Sequence, residues 1–187
     1  MIAAASAGPG ARVAAPAEPR RAALAQTFLE WFAVEPARDW LEIDCGDGTW
    51  TEAILKSSAP RDLIALDADA ARIDATRIRL DGRAVRLEVG VATALPLPHG
   101  TRDVVVGQLG FAGIEAASRP LAEILRVLRP EGRLGICIWD DVDEVAEPNE
   151  APLPQLAALV RQAGFRDVTS MPLPAGPVSA WGLVARA

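Results

Sequence analysis

Residues 40–51 read Trp-Leu-Glu-Ile-Asp-Cys-Gly-Asp-Gly-Thr-Trp-Thr, and this stretch decides the fold. Its apolar beginning is typical of a buried parallel strand, because such strands are covered on both faces. Gly46 and Gly48 then favour a tight turn with unusual backbone dihedrals. Thr49 or Thr51 is predicted to cap the helix that follows. A turn of this kind brings backbone N–H groups close to a ligand.

Strands and helices alternate along the rest of the chain. Short apolar runs predict further strands at residues 63–67, 85–89, 103–106, 133–139, 166–170 and 178–185. Apolar spacing predicts helices at residues 20–34, 49–55, 69–80, 120–128 and 156–164, with Pro120 as a first helical residue. Right-handed crossovers between such units produce a largely parallel sheet, and the last two strands, which lack an intervening helix, predict an antiparallel edge pair. The expected fold is a three-layer α/β sandwich.

Length, composition and charge limit the class of protein. The 187 residues suit one domain, expected over residues 20–187, while Ala, Pro and Gly dominate residues 1–19 and predict a flexible tail. A net charge of −6 disfavours nucleic acid as a partner, because such binders need a basic surface. No stretch resembles a membrane span or a signal peptide. We therefore expect a cytoplasmic protein with a small-molecule substrate and no membrane partner; the oligomeric state stays open.

The cysteines and the single histidine argue against a metal site. Cys45 and Cys137 lie in apolar strand-like runs and are interpreted as buried free thiols. His99 lies in a Pro-His-Gly sequence and is interpreted as a turn residue rather than a general base.

Three features fall at the predicted carboxyl ends of the first three strands. They are the glycine turn, Asp67 and the segment Val91–Ala92. In parallel α/β sheets a ligand binds at this edge, near the first strand. Asp67 follows Gly48 by 19 residues, close to the ~20-residue interval at which an acidic residue meets a ribose diol.

With these motifs the chain resembles the class I S-adenosylmethionine-dependent methyltransferases, particularly the small-molecule branch that includes the ubiquinone and menaquinone biosynthesis enzymes. The family's acidic residue followed by Gly-x-Gly-x-Gly matches Glu42 and residues 44–48, and its ribose acid matches Asp67. Residues 95–105 and 125–134 resemble its later blocks. The resemblance implies a Rossmann-like, mostly parallel seven-stranded sheet and S-adenosylmethionine as cofactor. The cofactor-binding residues it implies are Glu42, Asp44, Cys45, Gly46, Gly48, Asp67, Ala68, Val91, Ala92 and Gln108.

The chain departs from the family pattern at three places. Asp44 stands where the family has its first glycine, and it either repels the cofactor carboxylate or pairs with the cofactor ammonium group. Val91 replaces an acidic residue that often accepts from the adenine amino group, a loss on the order of 1 kcal/mol. Only the acidic loop 140–152 occupies the place of a larger helical cap, so an open acceptor site is expected.

No catalytic residue is assigned. Gln108 is expected to point into the substrate region, and Asp140 and Asp141 follow the fifth strand, where a solvated loop end is the simpler interpretation. Trp31, Trp50, Trp139 and Trp181 are interpreted as core or rim packing, and Phe28 belongs to the apolar face of the first helix; closure of Phe28 and Trp31 over the cofactor is the alternative.

Two functions stay open. The retained acidic and glycine positions favour methyl transfer from S-adenosylmethionine to a small molecule. The departures, together with the lack of an evident base, favour a non-catalytic binding or scaffold domain of methyltransferase type.

Overall fold

The computed structural model describes residues 18–110, 117–140, 153–174 and 179–187. The helices are α1 (Glu18–Phe32), α2 (Thr49–Ser57), α3 (Ala70–Arg79), α4 (Ser118–Val127) and α5 (Leu153–Gln162). The strands are β1 (Asp39–Ile43), β2 (Asp62–Asp67), β3 (Arg86–Val89), β4 (Arg102–Gly110), β5 (Leu128–Asp140), β6 (Arg166–Leu173) and β7 (Ser179–Arg186). The predicted alternation of strands and helices is therefore confirmed.

All seven strands form one sheet in the order β3-β2-β1-β4-β5-β7-β6. Strands β1 to β5 pair in parallel, whereas β7 pairs antiparallel with both β5 and β6. The predicted mostly parallel sheet with an antiparallel C-terminal pair is thus confirmed. The order reverses at β1, which places the end of this strand at the usual ligand position of such sheets.

Helices cover both faces of the sheet. On one face α4 and α5 pack on Leu41 and Val105, and on the other α1 and α2 pack on Trp40 and Val104. Every residue of β1 is buried, which explains why it carries apolar residues on both faces, Trp40 on one and Leu41 and Ile43 on the other.

Helix α1 packs closely on two neighbouring strands of the sheet, β5 and β7. A Cβ atom at Gly135 would lie 2.9 Å from Phe28 Cζ, and one at Gly182 would clash with the Trp31 ring. Phe28 is fully buried and also packs on the ring of Trp50, with centroids 5.4 Å apart. The core interpretation of Phe28 is confirmed, and its alternative role as a cover for the cofactor is wrong.

Two predicted helix starts differ in the structure. Thr49 is the first residue of α2 and not its cap, and the cap position belongs to Gly48. The side chain of Asp47 accepts hydrogen bonds from the Thr49 N–H at 3.2 Å and from the Thr49 hydroxyl at 2.7 Å, because an aspartate readily bonds the backbone two residues on. Thr51 is buried one turn further along, and Pro120 is the third residue of α4 instead of the first.

Two segments singled out in the sequence lie outside the described residues. They are the Ala-, Pro- and Gly-rich residues 1–17, and residues 141–152 of the acidic loop. Helix α1 begins at Glu18, two residues before its predicted start. Within the part of the chain that is described, no helix is both long and apolar enough to span a membrane.

Candidate cofactor site

The site is built where β1 and β2 end. Residues 44–48 leave β1 as a turn, and the Cys45 N–H donates to the Leu66 carbonyl of β2 at 3.1 Å. The last residue of β2, Asp67, accepts at its backbone carbonyl from the Gly90 N–H at 3.0 Å. The glycine turn, Asp67 and the segment after β3 therefore meet at one edge of the sheet, as the sequence predicts.

Every second residue of the turn, beginning with Asp44, has a left-handed backbone conformation. Asp44 has φ 58°, Gly46 has φ 61° and Gly48 has φ 80°. Aspartate is one of the few residues with a side chain that tolerate this conformation, so Asp44 adopts it without a change in the turn. Gly48 has no such freedom, because a Cβ there would lie 2.9 Å from Thr76 Cγ2. A Cβ at Gly46 would meet no described atom within 4 Å, so the turn is open on that side.

Asp67 is buried and already holds the turn in place. Its Oδ2 accepts from the Gly46 N–H at 2.9 Å and its Oδ1 accepts from the Asp69 N–H at 2.9 Å. Arg72 Nη1 lies 3.8 Å from Asp67 Oδ2. Each carboxylate oxygen has two lone pairs, so both oxygens keep capacity for a further donor such as a ribose hydroxyl.

Glu42 carries a buried carboxyl with unmet hydrogen-bonding capacity. Only 1% of the residue is exposed, and neither oxygen has a hydrogen-bond partner among the described residues. Burial raises the pKa of Glu42 to about 8; the nearby Thr51 hydroxyl opposes the rise, and the charges of Asp67, Asp47 and Asp44 add to it. Such a carboxyl is mostly protonated at neutral pH and becomes an anion when a cation binds beside it.

Asp44 is exposed at the rim of this acidic group. Its pKa is raised, first because neighbouring protein atoms remove it partly from water and second because of the Asp67 charge, while Arg72 lowers it. Solvent still reaches Asp44, and hydration limits the rise. Three carboxyl groups, those of Glu42, Asp44 and Asp67, thus surround the turn and favour a cation over an anion.

The surface beside the turn is apolar and open. Ala68 and Val91 are exposed, the latter at 47%, and Ala92 is half-buried. Val91 and Ala94 form a short bridge, in which the Ala94 N–H donates to the Val91 carbonyl at 3.1 Å. The apolar side chains can pack on a planar ring, and the backbone of the same segment can hydrogen-bond to it.

The candidate acceptor-side residues are only partly defined. Gln108 is half-buried on β4, in register with Cys137 of β5. Asp140 ends β5, and Asp141 lies outside the described residues. His99 belongs to the loop that enters the amino end of β4, where the Thr101 N–H donates to the Val127 carbonyl at 2.9 Å. It therefore lies at the opposite edge of the sheet from the turn, which confirms that it is no base for this site.

Both cysteines are buried free thiols, as predicted. Burial raises the pKa of Cys45 and that of Cys137 far above the ordinary thiol range, so neither is a nucleophile at neutral pH. Among the described residues no three or more His, Cys, Asp or Glu side chains are placed so that they could hold a metal ion together.

Sequence reasoning missed the residues that support the turn from behind. Thr76 Oγ1 donates to the Gly46 carbonyl at 2.9 Å, and Arg79 Nε donates to the Asp47 carbonyl at 2.7 Å. Arg21 of α1 pairs with the Asp47 carboxylate. The spacing of Thr76 and Arg79 puts them on one face of a helix, but nothing local in the sequence indicates which loop that face contacts.

The fold and site together define a class of protein, a Rossmann-like α/β domain with a ligand turn after β1. Comparison with known proteins is consistent with this class and narrows it. A family model described as a methyltransferase domain matches residues 41–132. The demethylmenaquinone methyltransferase of Lactiplantibacillus plantarum is 31% identical over 115 residues, which are 59% of this chain and 46% of that protein.

Two solved structures share the fold over nearly the whole chain. A SAM-dependent methyltransferase from Aquifex aeolicus has a TM-score of 0.71 at 20% identity, covering 90% of this chain and 93% of that one. A putative methyltransferase solved in complex with the Haloferax volcanii Trm112 methyltransferase activator has a TM-score of 0.75 at 17% identity, covering 91% of each chain.

The match of the methyltransferase-domain model over nearly half of the chain, the curated relatives and the shared fold support a class I S-adenosylmethionine-dependent methyltransferase domain. The predicted resemblance is confirmed, and so is S-adenosylmethionine as the cofactor that goes with this family. The chain spans about half the length of the curated relatives it matches.

Proposed function

We propose that this protein binds S-adenosylmethionine at the glycine turn and transfers its methyl group to a small-molecule acceptor. The observation that carries the proposal is the buried, unpartnered carboxyl of Glu42 next to a turn that is open at Gly46. A buried carboxyl without a hydrogen-bond partner lowers the stability of a fold, and a ligand that bonds to it offsets this cost. A ligand with sulfonium and ammonium groups meets that requirement, because it supplies positive charge.

Each part of the proposed site suits one part of the cofactor. The free lone pairs of Asp67 would accept from the ribose hydroxyls, and the exposed apolar surface of Ala68, Val91 and Ala92 would pack on the adenine. Asp44 would pair with the ammonium group at the rim of the turn. The cofactor, when bound, supplies an already activated methyl group, so the residues act mainly by holding the reacting atoms in line.

The curated relatives support a small-molecule acceptor. Two of those that match are named demethylmenaquinone methyltransferases, one 31% and the other 32% identical over the matched segment. We assign no general base at this edge of the sheet, and an acceptor atom that is nucleophilic without deprotonation by the protein fits the proposal best. We further propose that residues 20–187 act as one cytoplasmic domain without a nucleic-acid partner, in keeping with the net charge of −6.

A second candidate function rests on Asp44. A carboxylate at the first glycine position adds negative charge where the cofactor carboxylate also approaches the turn, and the Asp67 charge already disfavours ionisation of Asp44. If repulsion outweighs pairing with the ammonium group, the domain binds the cofactor weakly and serves as a scaffold.

Calorimetric titration separates the two functions. Micromolar binding of S-adenosylmethionine and of its demethylated product supports the proposal, and no detectable binding at millimolar cofactor would refute it. Asp67→Ala should weaken binding tenfold or more, since hydrogen bonds to a charged group are worth roughly 1.5–3 kcal/mol. Asp74→Ala is the matched control, because Asp74 is an exposed carboxylate on the neighbouring helix that pairs with Arg77. Equal affinity in the two variants would show that the pocket is assigned wrongly.

A further inference from the structure

The back of the glycine turn is held by α3. Two consecutive turn carbonyls, those of Gly46 and Asp47, point to this helix and not to the open side of the turn. Thr76 Oγ1 donates to the first carbonyl at 2.9 Å, and Arg79 Nε donates to the second at 2.7 Å. These donors lie three residues apart, on one face of α3, so a single rigid element supports both peptides.

Thr76 also limits the space behind the turn. It is fully buried, and its Cγ2 would lie 2.9 Å from a Cβ at Gly48. Its hydroxyl lies 3.9 Å from Cys45 Sγ as well. One side chain thus lies beside Cys45, bonds the Gly46 carbonyl and fills the space that a Cβ at Gly48 would need.

Gly46 connects Thr76 to Asp67, the candidate ribose acid, through its two backbone hydrogen bonds. Its carbonyl accepts from Thr76 while its N–H donates to Asp67 Oδ2 at 2.9 Å. Rotation of the turn at Gly46 would therefore change which lone pairs Asp67 keeps for a ligand. Glycine resists such a rotation poorly, because it lacks a side chain that restricts its backbone.

Arg79 extends the same support to α1 and α2. Its guanidinium lies 2.9 Å from Glu18 of α1, 3.5 Å from the Asp47 carboxylate and 3.7 Å from Glu52 of α2. The arginine is three-quarters buried at the side chain, so the charges around it are less screened than on an open surface. The beginning of α1 is thereby tied to the backbone of the turn.

We infer that Thr76, supported by Arg79, is a positioning residue that orients the Gly46 peptide and Asp67 toward the cofactor. The inference rests on the proposed function for the identity of the ligand. It assigns no contact between Thr76 and the cofactor, since the residue lies behind the turn.

Thr76→Val tests the inference because valine keeps the shape of threonine and loses only the hydroxyl. We expect the affinity for S-adenosylmethionine to fall about fivefold, the effect of one net hydrogen bond. Thr76→Ser, which keeps the hydroxyl, should restore affinity to within about twofold of the native protein. Thr101→Val is the matched control, since its hydroxyl donates to the Pro98 carbonyl at 3.1 Å, away from the turn.

Hydrogen exchange at the Gly46 amide gives a second readout that needs no cofactor. Protection of this N–H should fall in Thr76→Val and recover in Thr76→Ser, whereas Thr101→Val should leave it unchanged. Native affinity and native Gly46 protection in Thr76→Val would overturn the inference, as would failure of the serine variant to restore them. If the native protein fails to bind S-adenosylmethionine, the proposed function fails, and the exchange data still decide whether Thr76 orients the turn.

Discussion

Replacing Glu42 with glutamine should remove the contribution of this residue to the pH dependence of the free energy of unfolding. The pKa of the Glu42 carboxyl has its ordinary value of 4.5 in an unfolded chain, and burial raises it to about 8 in the folded protein. The folded state therefore keeps a proton that the unfolded state loses between these two pH values. It follows that this residue lowers the free energy of unfolding as pH rises through that window.

The size of the effect follows from the shift. A pKa rise from 4.5 to about 8 corresponds to about 5 kcal/mol at ~1.4 kcal/mol per unit, and about 3–4 kcal/mol of this accrues between pH 5 and pH 8. Movement of the Thr51 hydroxyl toward the ionised carboxylate, or entry of water, reduces these values. Glutamine does not titrate, so the stability of Glu42→Gln relative to the native protein should increase across this range.

Urea unfolding followed by tryptophan fluorescence measures the effect, because Trp40 and Trp50 are fully buried. Glutamine leaves a buried amide unpaired, a cost that does not depend on pH, so the informative quantity is the change in the difference between variant and native protein. Glu123→Gln is the control: Arg126 and the Leu95 N–H lower the pKa of Glu123 to about 2, so it is ionised throughout the range. If the difference in the free energy of unfolding between Glu42→Gln and the native protein stays constant from pH 5 to pH 8, the conclusion that Glu42 is a buried, unpartnered acid is wrong.

Two substitutions test the departures from the family pattern, with affinities measured by calorimetry. Asp44→Gly suits the left-handed φ of 58° and removes the carboxylate proposed to pair with the cofactor ammonium group, so S-adenosylmethionine and its demethylated product should each bind about fivefold more weakly; tighter binding would favour the scaffold function. Val91→Asp should tighten binding about fivefold by providing an acceptor for the adenine amino group, while Val89→Asp, an exposed control on β3, should not. Unchanged affinity in Val91→Asp would place the adenine elsewhere.

The parts of the fold that depend on local pattern were predictable. The apolar residues Trp40, Leu41 and Ile43 indicated a strand buried on both faces, and all five residues of β1 are buried. The alternation of strands and helices indicated a parallel sheet, and the lack of a helix between β6 and β7 indicated the antiparallel pair. The proximity of Asp67 to the glycine turn followed from parallel pairing alone, because parallel strands end at the same edge.

Predictions that depended on side-chain competition were less secure. Threonine was a reasonable cap for α2, yet Gly48 occupies the cap position, and the Asp47 side chain accepts from the Thr49 N–H from within the turn. Phe28 had the spacing of a core residue and also a place near the site. Only its contact with Gly135 shows that the ring is used to pack α1 on the sheet.

The sequence by itself determined the fold class, the resemblance to the methyltransferase family and the position of the glycine turn, because periodicity, glycine spacing and acidic residues at strand ends are local properties. The tertiary structure alone decided what surrounds that turn. The protonation of Glu42 depends on how completely distant residues exclude water, and the support from Thr76 depends on contact between residues 30 positions apart. Burial and long-range hydrogen bonds arise from packing, and no local pattern encodes them.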